Sequence, residues 1–502
     1  MKLRQLRRRH PEYDGETIQT YGDLFRGGRD FHKNVKRYLL QNDVEPQTVY
    51  DKRCKASHYL NYCGPIGGYF ASLLFSSPMT YISDPVEADQ WWAEWKEDVD
   101  QLGTDLDSFF HRQFVEALVK KHTFWRVDFP KALGDEPNKA AWQESGAGEA
   151  VIVDVPTENI INWRKVEDRY LWLMEYSKLE ELIRPGDDEP TTTETWTLWN
   201  ADGPNQRWRA VYTKANRPKD DDIIPEVDAP KTMLAGIPFV ELCMPPELWL
   251  MNLLADGQLE HFRQRCALSW SIQRTCYAMP VFTLKDKRKP PANGIGYYIM
   301  LGEGETLTYA APPSAPYDTI QAYNQTLKDE LHRVAQQMAR GVENNAAAVG
   351  RSGMSKQADE HGTEVVLKAF GRLVREAVER TMNLIAEGRG GDVKWSISGM
   401  DAYRLADAKT IADTALVSDA IKVPSPTYRR EMMKRVAYSQ LPDLDQETKQ
   451  AIAEEIEAGV NAEDLYPEPP PMVPIPPDEE DENQPPNEGE APAKGKPQGN
   501  DK

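Results

Sequence analysis

The sequence predicts an α+β fold that is mostly helical, with long antiparallel helices and a separate β-rich region. Three observations predict it. Apolar residues recur at three- and four-residue steps over long stretches on both sides of a compact Pro/Gly/aromatic insert. Between about residues 124 and 240 the period shortens to alternation, in runs bounded by Pro, Gly, Asn and Asp. The closing stretch has neither pattern: residues 461–502 hold 11 of the 37 prolines, with 11 acids against 3 bases.

Length and composition set outer bounds. A chain of 502 residues, 40% hydrophobic and 28% charged, has room for several domains and a large core, as in a soluble globular protein. The net charge of −20 argues against a protein that grips nucleic acid over a broad basic face. The most apolar stretch, Gly64 to Met79, is too short and glycine-rich to span a bilayer. Arg4, Arg7, Arg8 and Arg9 precede no apolar segment, so they do not open a secretory signal. They read as a solvated or weakly ordered start, or as a phosphate contact. Cys54, Cys63, Cys243, Cys266 and Cys276 form no CxxC, and no pair of them lies near a histidine at metal-ligand spacing. They read as reduced core thiols in a cytosolic setting.

Taken in order, residues 1–45 are polar with scattered aromatics, and a short helix is predicted near Phe31 to Leu40. Tyr59, Tyr62, Ile66, Phe70, Leu73 and Leu74 keep helical spacing; Pro65 kinks that helix or starts a second one, and Pro78 ends the run. Trp91, Trp92, Trp95 and Val99 mark one amphipathic helix. Leu106, Phe109, Phe110, Phe114 and Leu118 mark the next, with Asp105 or Asp107 available as its cap. Strands are predicted at Phe124–Phe129, Ala150–Val155, Tyr170–Tyr176, Thr193–Trp199 and Arg207–Tyr212, forming an antiparallel sheet region whose tryptophans pack rather than stack on bases.

Next comes an arm. One helix leaves from Glu247 to about Tyr277. An insert follows, about Ala278 to Pro316, opening with a short strand at Pro280–Leu284. A second helix returns from Tyr317 to Gly341 with the stripe Ile320, Tyr323, Leu327, Leu331, Val334 and Met338. An arm of this kind buries little alone, so its faces are expected to be covered by copies of the same chain. A loop of small residues, Val342 to Gly353, leads into a long helix from about Ser355 to Glu387, stopped by Gly388, Gly390 and Gly391. A strand at Val393–Ile397 follows, then three short helices between Leu405 and Ala458. The acidic, Pro-rich tail cannot bury enough apolar surface to order itself.

The chain has no phosphate-loop motif, no His-Glu-x-x-His and no Gly-x-Ser-x-Gly. Gly294-Ile-Gly and Gly302-Glu-Gly-Glu lack the strand-turn-helix context of a dinucleotide site. Asp359-Glu360-His361 are consecutive and fan over different helix faces. No catalytic, cofactor-binding or metal residue is nominated, and a non-enzymatic structural or assembly role is expected.

The order of elements resembles the tailed-bacteriophage portal family, subunits of the head-to-tail connector ring. Four places carry the resemblance: Asn61-Tyr62 to Pro78, the outgoing helix from Pro245-Pro-Glu-Leu-Trp-Leu to Pro280-Val with its insert, the returning helix, and Arg351-Ser-Gly-Met-Ser-Lys-Gln-Ala-Asp-Glu at the start of the long helix. It implies a wing over 1–246, an outgoing stem helix over 247–277, a clip over 278–316 and a returning stem helix over 317–341. A tunnel loop over 342–354, a long wing helix and strand over 355–400 and a crown over 401–460 follow, before the disordered tail over 461–502. It also implies a homo-oligomeric ring, usually of twelve, at the capsid vertex of the virion, assembled in the host cytoplasm. Double-stranded DNA would pass through its channel during packaging and ejection. The implied partners are the terminase large subunit, the head-tail adaptor protein, the major capsid protein and a scaffold, with no membrane and no cofactor. Asn344, Asn345, Arg351 and Lys356 would face the DNA, and Lys285, Lys287, Arg288 and Lys289 would make clip contacts. The bland readings stay open: an ordinary flexible connector for the loop, and a solvated basic loop for the clip cations. Another phage head-assembly protein, scaffold or minor head protein, is the alternative function, and a metal-dependent nuclease the enzymatic one.

Overall fold

The computed structural model describes residues 1–84, 90–129, 149–167, 169–182, 189–230, 232, 234, 236–275, 279–283, 304, 306–310, 315–340, 353–391, 393–400, 403, 425–440 and 446–458. The fold is α+β and mostly helical. The chain divides into two compact units, Met1–Leu405 and Ala406–Lys502.

The first unit is built on the long helix Gly353–Gly388. Val366, Leu367, Phe370, Val374, Ala377, Val378, Met382 and Ile385 step along it by one to four residues and are all buried. Helix α6 (Cys63–Leu74) brings Phe70 and helix α8 (Leu106–Lys120) brings Phe114 edge-on to Phe370, at ring-centroid distances of 6.2 and 5.0 Å. Pro65 lies in the first turn of α6, where the helix has no use for its missing N–H. Asp105 caps α8 by accepting from the Ser108 N–H at 2.9 Å. Gly371 is required by close packing, since a Cβ there would run into the Met400 carbonyl oxygen.

Strand β1 (Met79–Asp84), which the sequence reading missed, pairs antiparallel with strand β12 (Lys394–Gly399), whose Trp395 lies 4.9 Å from Trp92 of helix α7 (Gln90–Glu97). The run after Pro78 reads poorly as a strand because its partner lies more than 300 residues away.

The β-rich region is two sheets. Strand β2 (His122–Asp128) sits between β3 (Val151–Val155) and β9 (Phe239–Cys243). The second sheet is an antiparallel meander of β4 (Ile160–Val166), β5 (Arg169–Glu181), β6 (Thr191–Asn200), β7 (Gln206–Tyr212) and β8 (Glu226–Val227). Strand β4 also escaped the sequence reading, because register shifts at Ile160/Asn162 and Arg164/Lys165 break its alternation. As expected, Trp125, Trp196, Trp199 and Trp208 are core residues.

The amino terminus needs correction. Arg4, Arg8 and Arg9 are exposed, as a solvated cluster would be, but the segment that carries them is folded onto the meander. Helix α1 (Leu3–Leu6) buries Leu3 and Leu6 against Trp196 and Trp208 of the meander, and the Arg7 guanidinium donates to the buried Glu194 carboxylate at 2.8 Å. Helix α2 (Gly15–Arg26), capped by Asp14, was likewise not legible in a polar stretch. Near Phe31 to Leu40 two short helices form, α3 (Gly28–Lys33) and α4 (Val35–Tyr38).

The arm leaves this core as the helix Leu250–Thr275 and returns as the helix Ala315–Arg340, each of 26 residues and thus roughly 39 Å long. Gly257, early in the first helix, faces Leu331, late in the second, so the two run antiparallel. Beyond them β10 (Met279–Thr283) pairs antiparallel with β11 (Thr306–Ala310). In the second unit the helices Pro426–Gln440 and Gln446–Ala458 pack on each other. Pro426 begins a helix rather than breaking one, and the Ser425 hydroxyl accepts from the Tyr428 N–H. Residues 404–424, where a further helix was predicted, and the tail 461–502 lie outside the described residues.

The Phe370→Ala variant removes the ring on which two helices converge. It is expected to destabilise the first unit by about 3–5 kcal/mol, read as a lowered denaturant midpoint.

Candidate functional site

Of the residues singled out by sequence, Asn344, Asn345, Arg351, Lys285, Lys287, Arg288 and Lys289 lie outside the described residues. Lys356 is placed by its backbone alone, one turn into the long helix Gly353–Gly388. The structure describes the elements that bracket these residues.

In the arm, burial changes along the length. The near part of the outgoing helix buries Leu250, Met251, Leu254, Phe262 and Cys266, and the returning helix buries Leu327 and Leu331. Gln258 is fully buried there; its amide donates to the Leu60 carbonyl at 2.8 Å and accepts from the Tyr62 N–H at 3.1 Å. Further out, Ile272 is 41% exposed and Tyr323 45% exposed. Along the stripe read from sequence, Leu327 and Leu331 are buried, Ile320 and Val334 half-buried and Tyr323 exposed.

A second feature was not predicted. Helix α8 ends at Lys121, whose φ of 72° turns the chain directly into β2. In the β2–β9 ladder His122 lies opposite Cys243 and Phe124 opposite Glu241. Alternation sends Trp125 and Leu242 into the core and leaves His122, Glu241 and Cys243 on the other face. There His122 Nδ1 is 2.6 Å from Glu241 Oε1. The other carboxylate oxygen accepts from Lys165 Nζ at 3.1 Å and from the Tyr170 hydroxyl at 2.9 Å. Lys165 also sits 4.9 Å above the Tyr170 ring. Glu241 is shared by two cavities. One of about 520 Å³ has aromatic walls including Trp163, Tyr170 and Trp249; one of about 880 Å³ also takes in Cys243 and faces Glu376, Glu379 and Arg380 of the long helix.

Charge is fixed by these contacts. Burial disfavours the His122 imidazolium, but hydrogen bonding to Cys243 and Glu241 outweighs it and pushes the imidazole up to about 9. Burial likewise disfavours the Glu241 carboxylate, yet His122 and Lys165 hold it down to about 2. Burial and the Glu241 charge raise the Tyr170 phenol. At neutral pH the site is a carboxylate ringed by two cations and a phenol.

This corrects the reading of the cysteines. Cys54, Cys63 and Cys266 are buried thiols, but Cys243 is half-buried and stands beside a histidine 121 positions away in sequence. Linear spacing cannot reveal a pair formed across a strand ladder.

No protein-family model matches the chain. No curated protein matches it either. Among solved structures, it is similar to a chain from the neck of an empty GTA particle computed with C6 symmetry, at 10% identity and a TM-score of 0.36, covering 78% of this chain and 90% of that one. It is also similar to a chain from the virion of a native gene transfer agent (GTA) particle, at 9% identity and a TM-score of 0.38, covering 87% and 99%.

The His122–Glu241 pair gives a pH signature in chelator-treated protein. The histidine, with its folded pKa above the ordinary 6.5, contributes stability that is full below pH 6.5 and lost as pH rises through about 9. The carboxylate contributes above pH 4.5 and loses its share as pH falls through about 2. His122 is 34% exposed, so solvent screens the pair, and one shared contribution of about 1–2 kcal/mol is expected. The melting difference between wild type and His122→Gln should be largest between pH 4.5 and 6.5 and should shrink towards pH 9.

Proposed function

We propose that this chain is a portal-type subunit, one of a closed ring whose channel passes double-stranded DNA at a capsid vertex. One observation carries the reading: the antiparallel 26-residue helices that leave the core, enclose the insert and return to the 36-residue helix. Support comes from what the arm leaves uncovered. Exposed apolar side chains on a projecting helix pair call for a partner surface. In a closed ring each copy covers its neighbour, with no open edge. The charge of −20 suits a wall that lets phosphates slide past without holding them.

In this reading 247–277 and 317–341 are the stem, 278–316 the clip, 342–354 the tunnel loop and 401–460 the crown. Asn344, Asn345, Arg351 and Lys356 face the DNA. Lys285, Lys287, Arg288 and Lys289 meet the terminase large subunit and later the head-tail adaptor. The major capsid protein surrounds the ring, assembly takes place in the host cytoplasm, and the work is done by the channel rather than by a catalytic residue.

Negative-stain images of the purified chain are expected to show rings with a central hole. Replacing Ile272 and Tyr323 together by Asp should leave the far-UV spectrum unchanged and reduce rings at least tenfold in favour of monomer by sedimentation, given two charges placed in desolvated contacts. A wild-type chain that stays monomeric at high concentration overturns the reading.

A further inference from the structure

We propose that His122, Glu241 and Cys243 form a binding site for a divalent first-row transition cation of the zinc class. Their ligand atoms all lie within 4.8 Å of one another. An imidazole, a carboxylate and a thiolate are a donor set that such cations accept and that Mg²⁺ or Ca²⁺ does not favour. Three protein ligands leave a fourth position for water.

The ligands are held by backbone as well as by side chains. Cys243 and Glu241 are alternate residues of one strand, and His122 pairs with Cys243 on the next. The His122 carbonyl accepts from the Thr157 hydroxyl at 2.6 Å. Lys165 and Tyr170 both bind Oε2 of Glu241, which leaves Oε1 as the metal-facing oxygen. This is the outer-shell support that ligating carboxylates commonly have. Two ligands about 2.1 Å from a tetrahedral cation stand roughly 3.4 Å apart. His122 and Glu241 therefore have to separate by less than an ångström from their present 2.6 Å. The half-exposed histidine has room to do so. The cation enters from the larger cavity, whose wall carries Glu376, Glu379 and Glu387 beside Arg380.

The cation has to displace the proton that His122 Nδ1 shares with Glu241 and the proton of the Cys243 thiol, so binding releases protons. Lys165 also opposes it, since its ammonium is 3.1 Å from the same carboxylate. It makes the site weaker than one built from the three ligands alone, and it supplies a diagnostic. Lys165→Met should tighten binding, whereas Tyr170→Phe, which removes a support without removing a charge, should weaken it by about tenfold.

The site stands apart from the arm, so its test does not depend on ring formation. Full-length protein is stripped with chelator and titrated with Co²⁺. The expected result is one Co²⁺ per chain with a thiolate-to-metal charge-transfer band and visible bands of a four-coordinate ion. The band disappears in Cys243→Ser. In wild-type protein, bound Co²⁺ should also protect Cys243 from alkylation by iodoacetamide, followed by mass spectrometry. This second readout needs no variant to fold. Failure to saturate at one ion per chain, unchanged alkylation of Cys243, or a thiolate band that survives in Cys243→Ser overturns the proposal.

Discussion

The first unit depends on a hydroxyl in the middle of an apolar helix face. Thr381 is fully buried on the long helix, between Val378 and Met382. Its Oγ1 donates to the Ala377 carbonyl at 2.8 Å and accepts from Trp125 Nε1 at 2.9 Å. The Thr381 hydroxyl is satisfied within its own helix, but the buried indole N–H has this oxygen as its acceptor, and left without it would forfeit about 1–3 kcal/mol. Apolar burial is non-directional, so it cannot fix how the central strand of a sheet rotates over a helix. This bond can. With Trp125 pinned, Phe109 and Phe110 close on its ring edge-first, and α8 is placed over the same helix.

Once β2 is pinned, the chemistry of its other face follows. A strand sends alternate residues to opposite sides, so fixing Trp125 inwards puts Phe124 and His122 on the other face, where Phe124 is buried in a second apolar cluster. The ladder then sets Glu241 and Cys243 beside them. The polar cluster is therefore a consequence of core packing one to three residues along the strand. A shift of one residue in β9 would turn Glu241 and Cys243 into the core and leave His122 without its partners.

This explains what the sequence could disclose. Helices with long stripes were legible, because Phe370, Val374, Ala377 and Val378 repeat at the helical period whatever packs on them. Tryptophan-rich strands were legible for the same local reason. Elements that depend on a distant partner were not. Strand β1 exists because Lys394–Gly399 lies beside it, and α1 is ordered because Trp196, Trp208 and Glu194 receive Leu3, Leu6 and Arg7. His122, Glu241 and Cys243 carry no mutual signal in one dimension. The nearest hint was a histidine, a glutamate and a cysteine at alternating positions of two β-rich runs, a pattern common in sheets that bind nothing. The residues nominated on the loop and insert lie outside the described residues.

The arm shows the limit of periodicity from the other side. Its stripe runs unbroken from Ile320 to Met338, but one chain uses only part of it. Leu327 and Leu331 meet the core, while Tyr323, one turn further out, is 45% exposed. A stripe that served only intrachain packing would become polar where the core ends. Here the apolar character continues past that point and into the outgoing helix at Ile272. Exposed apolar area of this kind lowers solubility unless something covers it. An excess of negative charge keeps such chains apart until they meet in the right orientation. These two features, an apolar arm and an acidic chain, are the ones on which the proposed ring subunit would rely to meet its own copies.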